Sequence, residues 1–457
     1  MTESFDVVIV GARCAGSPLA TLLARQGIRV ALVERAKFPR DTLSTHIFEG
    51  PGINVLSRLG VLDRVRATGA QPVGRLDFRQ DDYAARTQFP ARPGDIGGVM
   101  SVRRFLLDPI LADAAREAGA EVMMETNVIG LAGNGRVTGV RVRSGGSERE
   151  LSARLVVGAD GRNSTVGKLT GARKYHVVPS ERFAYWAFFE GTDADAEPEI
   201  SFHHWGGQVV IALPADSGLY QVVVIPDNRL LPDFRADLER SFMEYAVASP
   251  PVADKLTGAR RVGKLQGIVR WESFFRESAG PGWALVGDAG HFKDPTPGQG
   301  ITDALRQATA MAPAIAAGIG GSDSELDAAL AGWARWRDRD AFEHHWMACD
   351  LGAAGRGPTV VPAMMERLAA EGKLGGFLDV FQHRTVPSKV FTPPRLLSTA
   401  AGMVVRGDGD RAGVLREVRE LVMADTRRKR LRKNPVFVDP AAHADAGETE
   451  VPQEAAA

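Results

Sequence analysis

The sequence predicts an α/β chain, α+β in detail: a parallel-sheet domain interrupted by a mixed or antiparallel sheet and followed by helices. Three observations predict this. The first 35 residues read strand, turn, helix, strand. Residues 184–226 are the richest in aromatics and in two-residue alternation, and the style of the first domain returns only from residue 268. Beyond about residue 330 the pattern is mostly helical.

Taken in order, "FDVVIV" reads as a buried strand and "GARCAG" as a tight turn. "SPLATLLARQG" carries Leu19, Leu22 and Leu23 at helical spacing and stops at Gly27, and "RVALVE" is a second strand parallel to the first. The following loop, "RAKFPRDTLSTHIFEGPG", is too long for an ordinary connection between strand and helix. Residues 76–95 read as an excursion into short strands. "SVRRFLLDPILADAAREAGAEV" reads as an amphipathic helix in which Pro109 causes a bend or marks a late start. "RVTGVRVRSGG" and "RLVVGADG" are strands, 234–247 is helical, and Ile301 to Ala316 is a helix behind a proline- and glycine-rich loop.

The expected domains are therefore discontinuous. Segments 1–75, 96–183 and 270–345 form the first, and 76–95 with 184–269 form a substrate-binding sheet. Residues 346–439 are a C-terminal helical region, and the Ala-, Glu- and Pro-rich 440–457 is a disordered tail.

The chain has 457 residues, enough for two or three domains. Its 56 Lys+Arg equal its 56 Asp+Glu, so nothing calls for nucleic acid or an anionic membrane as partner. The basic run 427–433 reads as a solvated helix face. Two distant cysteines, Cys14 and Cys349, exclude a disulfide framework and fit a reducing cytoplasm. A strand begins at once, so no signal peptide is expected, and no run of about 18 apolar residues spans a membrane. No metal-ligand spacing appears. The oligomer is a monomer or homodimer.

Three constellations carry chemistry. In Gly11-Ala12-Arg13-Cys14-Ala15-Gly16, Gly11 permits the turn, backbone N–H groups approach a pyrophosphate, and Gly16 lets helix and strand pack closely. Glu34, about 20 residues from the turn and followed by Arg35, can take ribose hydroxyls. Arg13 replaces the middle glycine of the usual fingerprint. The turn alone does not separate FAD from NAD. Asp160-Gly161 with Ser164 is either a second ligand-facing strand tip or a plain helix cap. The third, "GDAGHFKDPTPGQG", puts Gly287-Asp288 at a strand tip, where Asp288 can accept from a polyol. Pro295 and Pro297 stiffen the loop. Gly298, Gly300 and Ile301 bring a helix N-terminus against a flat ring that becomes an anion on reduction.

Together, in this order, the fingerprint with Glu34, "GADGRNST" and "GDAGHFKDPTPGQG" resemble the FAD-dependent class A monooxygenases of the p-hydroxybenzoate hydroxylase fold. "GARCAGSPLA" and "DTLSTH" look closest to the branch shading into geranylgeranyl-reductase-like oxidoreductases. The resemblance covers residues 1 to about 345. It implies a Rossmann-type FAD-binding domain, with pyrophosphate over Gly11–Gly16, ribose on Glu34, a flavin contact from Arg104 and adenine near Val128. It also implies the ribityl chain on Asp288, the ring facing Gly298 to Ile301, and a link from Asp160 to both FAD and the nicotinamide cofactor. Gly167 and Thr302 depart from the family's usual Arg and Asn.

The implied reaction uses NAD(P)H and O2 to hydroxylate an aromatic or polycyclic substrate through a flavin C4a-hydroperoxide, with Pro295 walling the site. The alternatives are a geranylgeranyl-reductase-like enzyme without oxygen insertion, a flavin halogenase, whose W-x-W-x-I-P motif is absent, and a non-enzymatic flavoprotein. His46 is a candidate active-site residue. His203 and Trp205 share one strand face, and with Tyr220 they are substrate-side candidates. A His there either activates a phenol or is simply satisfied by its neighbours. His291 and Lys293 read equally as pocket residues or loop structure.

Overall fold

The computed structural model describes residues 3–438 except 43, 193–196 and 408–409, so the tail at 440–457 lies outside the described residues. Its first layer is an eight-stranded sheet. The central strands run in the order Trp283–Leu285, Ser147–Gly158, Glu3–Val10, Val30–Val33 and Glu121–Met123, each parallel to the next in this order. Val7, Val8 and Ile9 are wholly buried because helices cover one face and the meander Asn127–Ala132 and Gly139–Ser144 covers part of the other. Helices Gly16–Ala24, Arg104–Glu117 and Gly300–Gly318 close the first face.

Pro109 neither delays nor ends its helix, which starts at Arg104 and runs through it. The carbonyl it deprives of a partner, four residues back, belongs to Phe105, which is exposed to water.

The second layer is a seven-stranded sheet in the order Arg260–Ile268, Ala184–Glu190, Tyr220–Pro226, Gln208–Pro214, Glu199–Trp205, Arg75–Gln80, Tyr83–Gln88. Its pairs are antiparallel except Glu199–Trp205 with Arg75–Gln80. The sheet is therefore mixed, and the hairpin at 75–88 extends its edge. Alternation along Ala184–Glu190 sends Trp186 and Phe188 to one core, and Tyr185 and Phe189 to another under helices Leu231–Ala236, Leu238–Val247 and Pro250–Leu256.

After the long helix Asp323–Leu351, capped by a reciprocal Ser322–Glu325 box, the chain forms further helices. Met364, Met365, Leu368 and Phe377 from this region fill the other face of the second sheet. The final strand Phe437–Val438 pairs with Lys174–Pro179. Among the described residues no helix is long and apolar enough to cross a membrane.

Candidate functional site

A cleft of about 350 Å³ opens at the carboxyl ends of four adjacent parallel strands. Ligands of open α/β sheets bind at this end, because the connecting turns there present backbone N–H groups and side chains together. Gly11, Arg13, Cys14 and Ala15 line it from the first turn, and Glu34 and Arg35 from the second strand. Arg104, Val128 and Asp160 line it too, as do Asp288, Pro295, Gly298, Gly300 and Ile301. These expected residues, spread from position 11 to position 301, meet in one place.

The first turn is tightly built. Gly11 has φ 104°, and a Cβ on it would stand 2.5 Å from the Ala159 carbonyl oxygen. Gly16 does not line the cleft: a Cβ there would sit 1.8 Å from the Gly11 carbonyl oxygen, so it packs the helix under the turn. Glu34 is buried, and its carboxylate accepts the Ala12 and Ala36 N–H groups, both at 3.0 Å. It ties the fingerprint turn to the second strand and lines the cleft.

Arg104 donates to Asp108 through Nε at 2.6 Å and through a terminal nitrogen at 3.0 Å. Burial opposes the Arg104 charge, but Asp108 more than restores it, so the guanidinium is raised above its ordinary value. Arg13 also reaches Asp108, at 3.6 Å. Burial pushes the Cys14 thiol up to about 12, which keeps it protonated and unreactive. Asp288 is pushed up to about 6 by burial, against the pull of Arg104 and Arg162.

Several expectations need correction. Gly287 supports the cleft from behind, since a Cβ there would press Ala15 Cβ at 2.9 Å. Asp160 lines the cleft, but its carboxylate serves as a helix cap, accepting from Ser164 Oγ and from the Thr165 and Val166 N–H groups. His46 is buried behind Thr45: its Nδ1 accepts the Arg104 N–H at 3.1 Å, and burial pushes it down to about 3. It fixes the start of the Arg104 helix and does not line the cleft.

His203, Trp205 and Tyr220 lie on the far face of the second sheet. His203 bonds Ser249 and lies against Trp205 with the rings tilted by 39°, and Tyr220 joins the core under the helices at 231–256. His204, on the other face, is held by the Gly355 carbonyl and Arg182. No histidine of that strand reaches the cleft.

The roof is made instead by Ala184, Trp186 and Ile268. Trp186 was hidden in the aromatic run "FAYWAFFE", where alternation shows two faces but not which one looks inward. Also unforeseen are Thr42, Ser44, Thr45, Arg162, Asn163 and Phe292, and Asp303 on the helix behind the loop. His291 and Lys293, left open between pocket and loop structure, line the cleft.

The geometry agrees with comparisons to known proteins. Residues 4–186 match the FAD binding domain family. The chain is 30% identical over 326 residues to 6-methylpretetramide 4-monooxygenase of Streptomyces rimosus, covering 69% of this chain and 76% of that protein. It is 28% identical over 312 residues to digeranylgeranylglycerophospholipid reductase of Methanocella arvoryzae, covering 67% and 76%. Its fold is similar to that of the flavin-dependent brominase Bmp2, with a TM-score of 0.71 at 19% identity over 88% of this chain and 100% of that one.

Proposed function

The chain belongs to the FAD-dependent class A-like superfamily of oxidoreductases, and from that membership we propose that it is an NAD(P)H-using monooxygenase that hydroxylates an aromatic or polycyclic small molecule. We place it in the cytoplasm, as a monomer or homodimer. The observation that carries the reading is a single cleft that runs from the Gly11 turn and Glu34 to the Pro295–Ile301 loop and ends under the Trp186 ring.

The residues present fit the cofactor. Gly300 and Gly161 have no atom within 4 Å of where a Cβ would stand, so the cleft lies open above both. His291 offers two buried ring nitrogens without a partner. Glu34 and Asp288 supply acceptors at two separated points, as a nucleotide ribose and a ribityl chain require. We assign pyrophosphate to the Gly11–Gly16 turn, with Arg13 as its counter-charge, and adenine to the neighbourhood of Val128. When bound, FAD supplies hydride acceptance and oxygen activation.

The chain's own residues do the rest. Arg104, fixed by Asp108 and by His46 through its backbone, keeps a permanent positive charge on the cleft. Trp186 is held by its Nε1–H bond to Gln266 at 3.2 Å and, with Ile268, excludes water from the roof. Pro295 walls the opposite side, and its carbonyl accepts the Gly298 N–H at 2.9 Å, which holds the loop in shape.

The similarity to the 6-methylpretetramide 4-monooxygenase of Streptomyces rimosus supports oxygen transfer. A reductase acting on C–C bonds is the second reading, favoured by the similarity to an archaeal lipid reductase. Stopped-flow spectroscopy separates them. The protein is reduced with NADPH or NADH and mixed with O2 beside a panel of phenolic and polycyclic compounds. A transient absorbance band distinct from those of oxidised and reduced flavin, with one product hydroxylated, is the expected result. Direct return to oxidised flavin with stoichiometric peroxide for every compound would favour the reductase.

A further inference from the structure

Below the Pro295–Ile301 loop lies a buried row of titratable side chains that the chemistry above leaves unused. Lys293 lines the cleft with its side chain 3% exposed. Its Nζ stands 2.8 Å from Asp303 Oδ2 and donates to Gln299 Oε1 at 2.6 Å. Asp303 Oδ1 is 2.9 Å from His383 Nδ1. His383 Nε2 is buried, has no hydrogen-bond partner, and points to Asp340 Oδ2 at 3.6 Å. Asp340, 24% exposed and clamped by Arg306, reaches the surface.

A plain structural ion pair needs only Lys293 and Asp303. Burying even that pair gives little stability, because desolvating two charges offsets their attraction. Here acid and base alternate in series, and the row runs from the cleft wall to water. Its third member, His383, comes from the C-terminal region, at φ 54° just after helix Leu374–Phe381, so that region links the row's two halves.

We propose that Lys293, Asp303 and His383 form a proton relay between the cleft and solvent at Asp340. The relay rests on the flavin reading: a hydride from NAD(P)H needs no proton, but the oxygen half of the cycle consumes one per turnover, and so does reduction by two electrons without a hydride. One proton moves in each passage. Asp340 hands a solvent proton to His383 Nε2, and His383 gives up its Nδ1 proton to Asp303. Lys293 donates into the cleft and is reprotonated by Asp303. Only N–H and O–H bonds are exchanged and every group returns to its starting charge; His383 is left with its proton on Nε2, and a turn of its ring restores the Nδ1–H for the next passage.

The surroundings suit this. His383 faces Asp303, Asp340, Arg306, Lys293 and the His344 ring, whose centroid is 3.6 Å away at a tilt of 36°. Burial first, then Arg306, holds it below its ordinary value, so it rests as the neutral imidazole that can accept at one nitrogen and release at the other. Asp303 also faces His291; burial works against its charge, but Lys293 and His383 hold it well below the usual carboxylate range, so it carries the proton only in passing, and Glu49 adds a carboxyl beyond Thr302. Burial pushes Glu49 up to about 8, so it stays uncharged there.

The test follows protons directly. The FAD-loaded protein is photoreduced without oxygen in weak buffer, and a pH-indicator dye records proton uptake beside flavin bleaching. In His383→Gln and in Asp340→Asn the number of protons taken up should be unchanged. Their uptake should lag bleaching by on the order of tenfold or more, and Asp340→Glu should restore the rate. A side chain with only a structural role would change FAD retention or stability and leave uptake in step with bleaching. Asp340→Asn, at the surface, decides the matter even where His383→Gln fails to fold. Uptake in step with bleaching in Asp340→Asn would overturn the relay alone. A wild-type protein that holds no FAD would overturn the flavin reading and the relay with it.

Discussion

Glu34→Ala is the substitution whose cost the structure fixes most closely. The carboxylate accepts two backbone N–H groups, those of Ala12 and Ala36, and neither residue is more than 5% exposed. Removing it leaves both donors without partners. A hydrogen bond to a charged group is worth about 1.5–3 kcal/mol, so the pair amounts to about 3–6 kcal/mol. That is a large share of a typical total of about 5–15 kcal/mol. The loss should appear in the apo-protein, because both bonds exist without cofactor. Urea unfolding of the apo-protein measures it as a lowered midpoint at unchanged slope. Glu34→Gln keeps one acceptor oxygen and should lose about half as much. Its FAD affinity should fall further than its stability, because the amide cannot serve the ribose and both N–H groups together. An apo Glu34→Ala protein within about 0.5 kcal/mol of wild type would refute the tie between turn and strand. Unchanged FAD affinity in Glu34→Gln would refute the ribose assignment.

Three further outcomes are expected. Asp288→Ala should fold yet purify with little FAD, and full occupancy by absorbance would show that the ribityl assignment is wrong. Gly16→Ala places a Cβ 1.8 Å from the Gly11 carbonyl oxygen. It should cost at least about 3 kcal/mol or yield no soluble protein, and a variant with wild-type melting would contradict the packing. Acid should destabilise the apo-fold early. Burial holds His46 and His345 down to about 3, while in the unfolded chain they titrate near about 6.5. The unfolded state therefore binds protons first as pH falls, and this contribution is lost from about pH 6.5 down toward 3. Two protons correspond to up to about 3 kcal/mol per pH unit. Urea midpoints at pH 7, 6 and 5 that do not move would count against it.

What the sequence could disclose depended on how local each feature is. The Gly11–Gly16 turn, Glu34 and Asp288 are set by short stretches in which a strand ends, a turn forms and a helix begins, so residue type and spacing nearly determine their geometry. The second sheet shows where that stops. Alternation separates Trp186 from Tyr185, and His203 from His204, yet it is symmetric about the sheet. Only helices 231–256, packing over Tyr185 and Tyr220, decide that Trp186 faces the cleft and His203 does not. His46 and Asp160 illustrate a related ambiguity. A polar side chain beside a site can serve the ligand or serve the backbone that holds the site, and both residues spend hydrogen bonds on backbone N–H groups.

The relay was the least accessible to sequence reading. Asp303 and His383 are 80 residues apart, and no periodicity in the C-terminal helices specifies that the turn after Phe381 comes back beneath the cleft. Its position depends on Met364, Met365, Leu368 and Phe377 packing against the second sheet, a long-range contact that amphipathic pattern permits without selecting. The same packing carries Gln382 onto the Gly50 N–H and the Gly98 carbonyl, and lets the Phe381 carbonyl accept from Gln299. These bonds hold His383 in register with Asp303 from both sides. The C-terminal helices are thereby tied to the loop that carries Pro295 to Ile301, and a change in either is expected to be felt at the other.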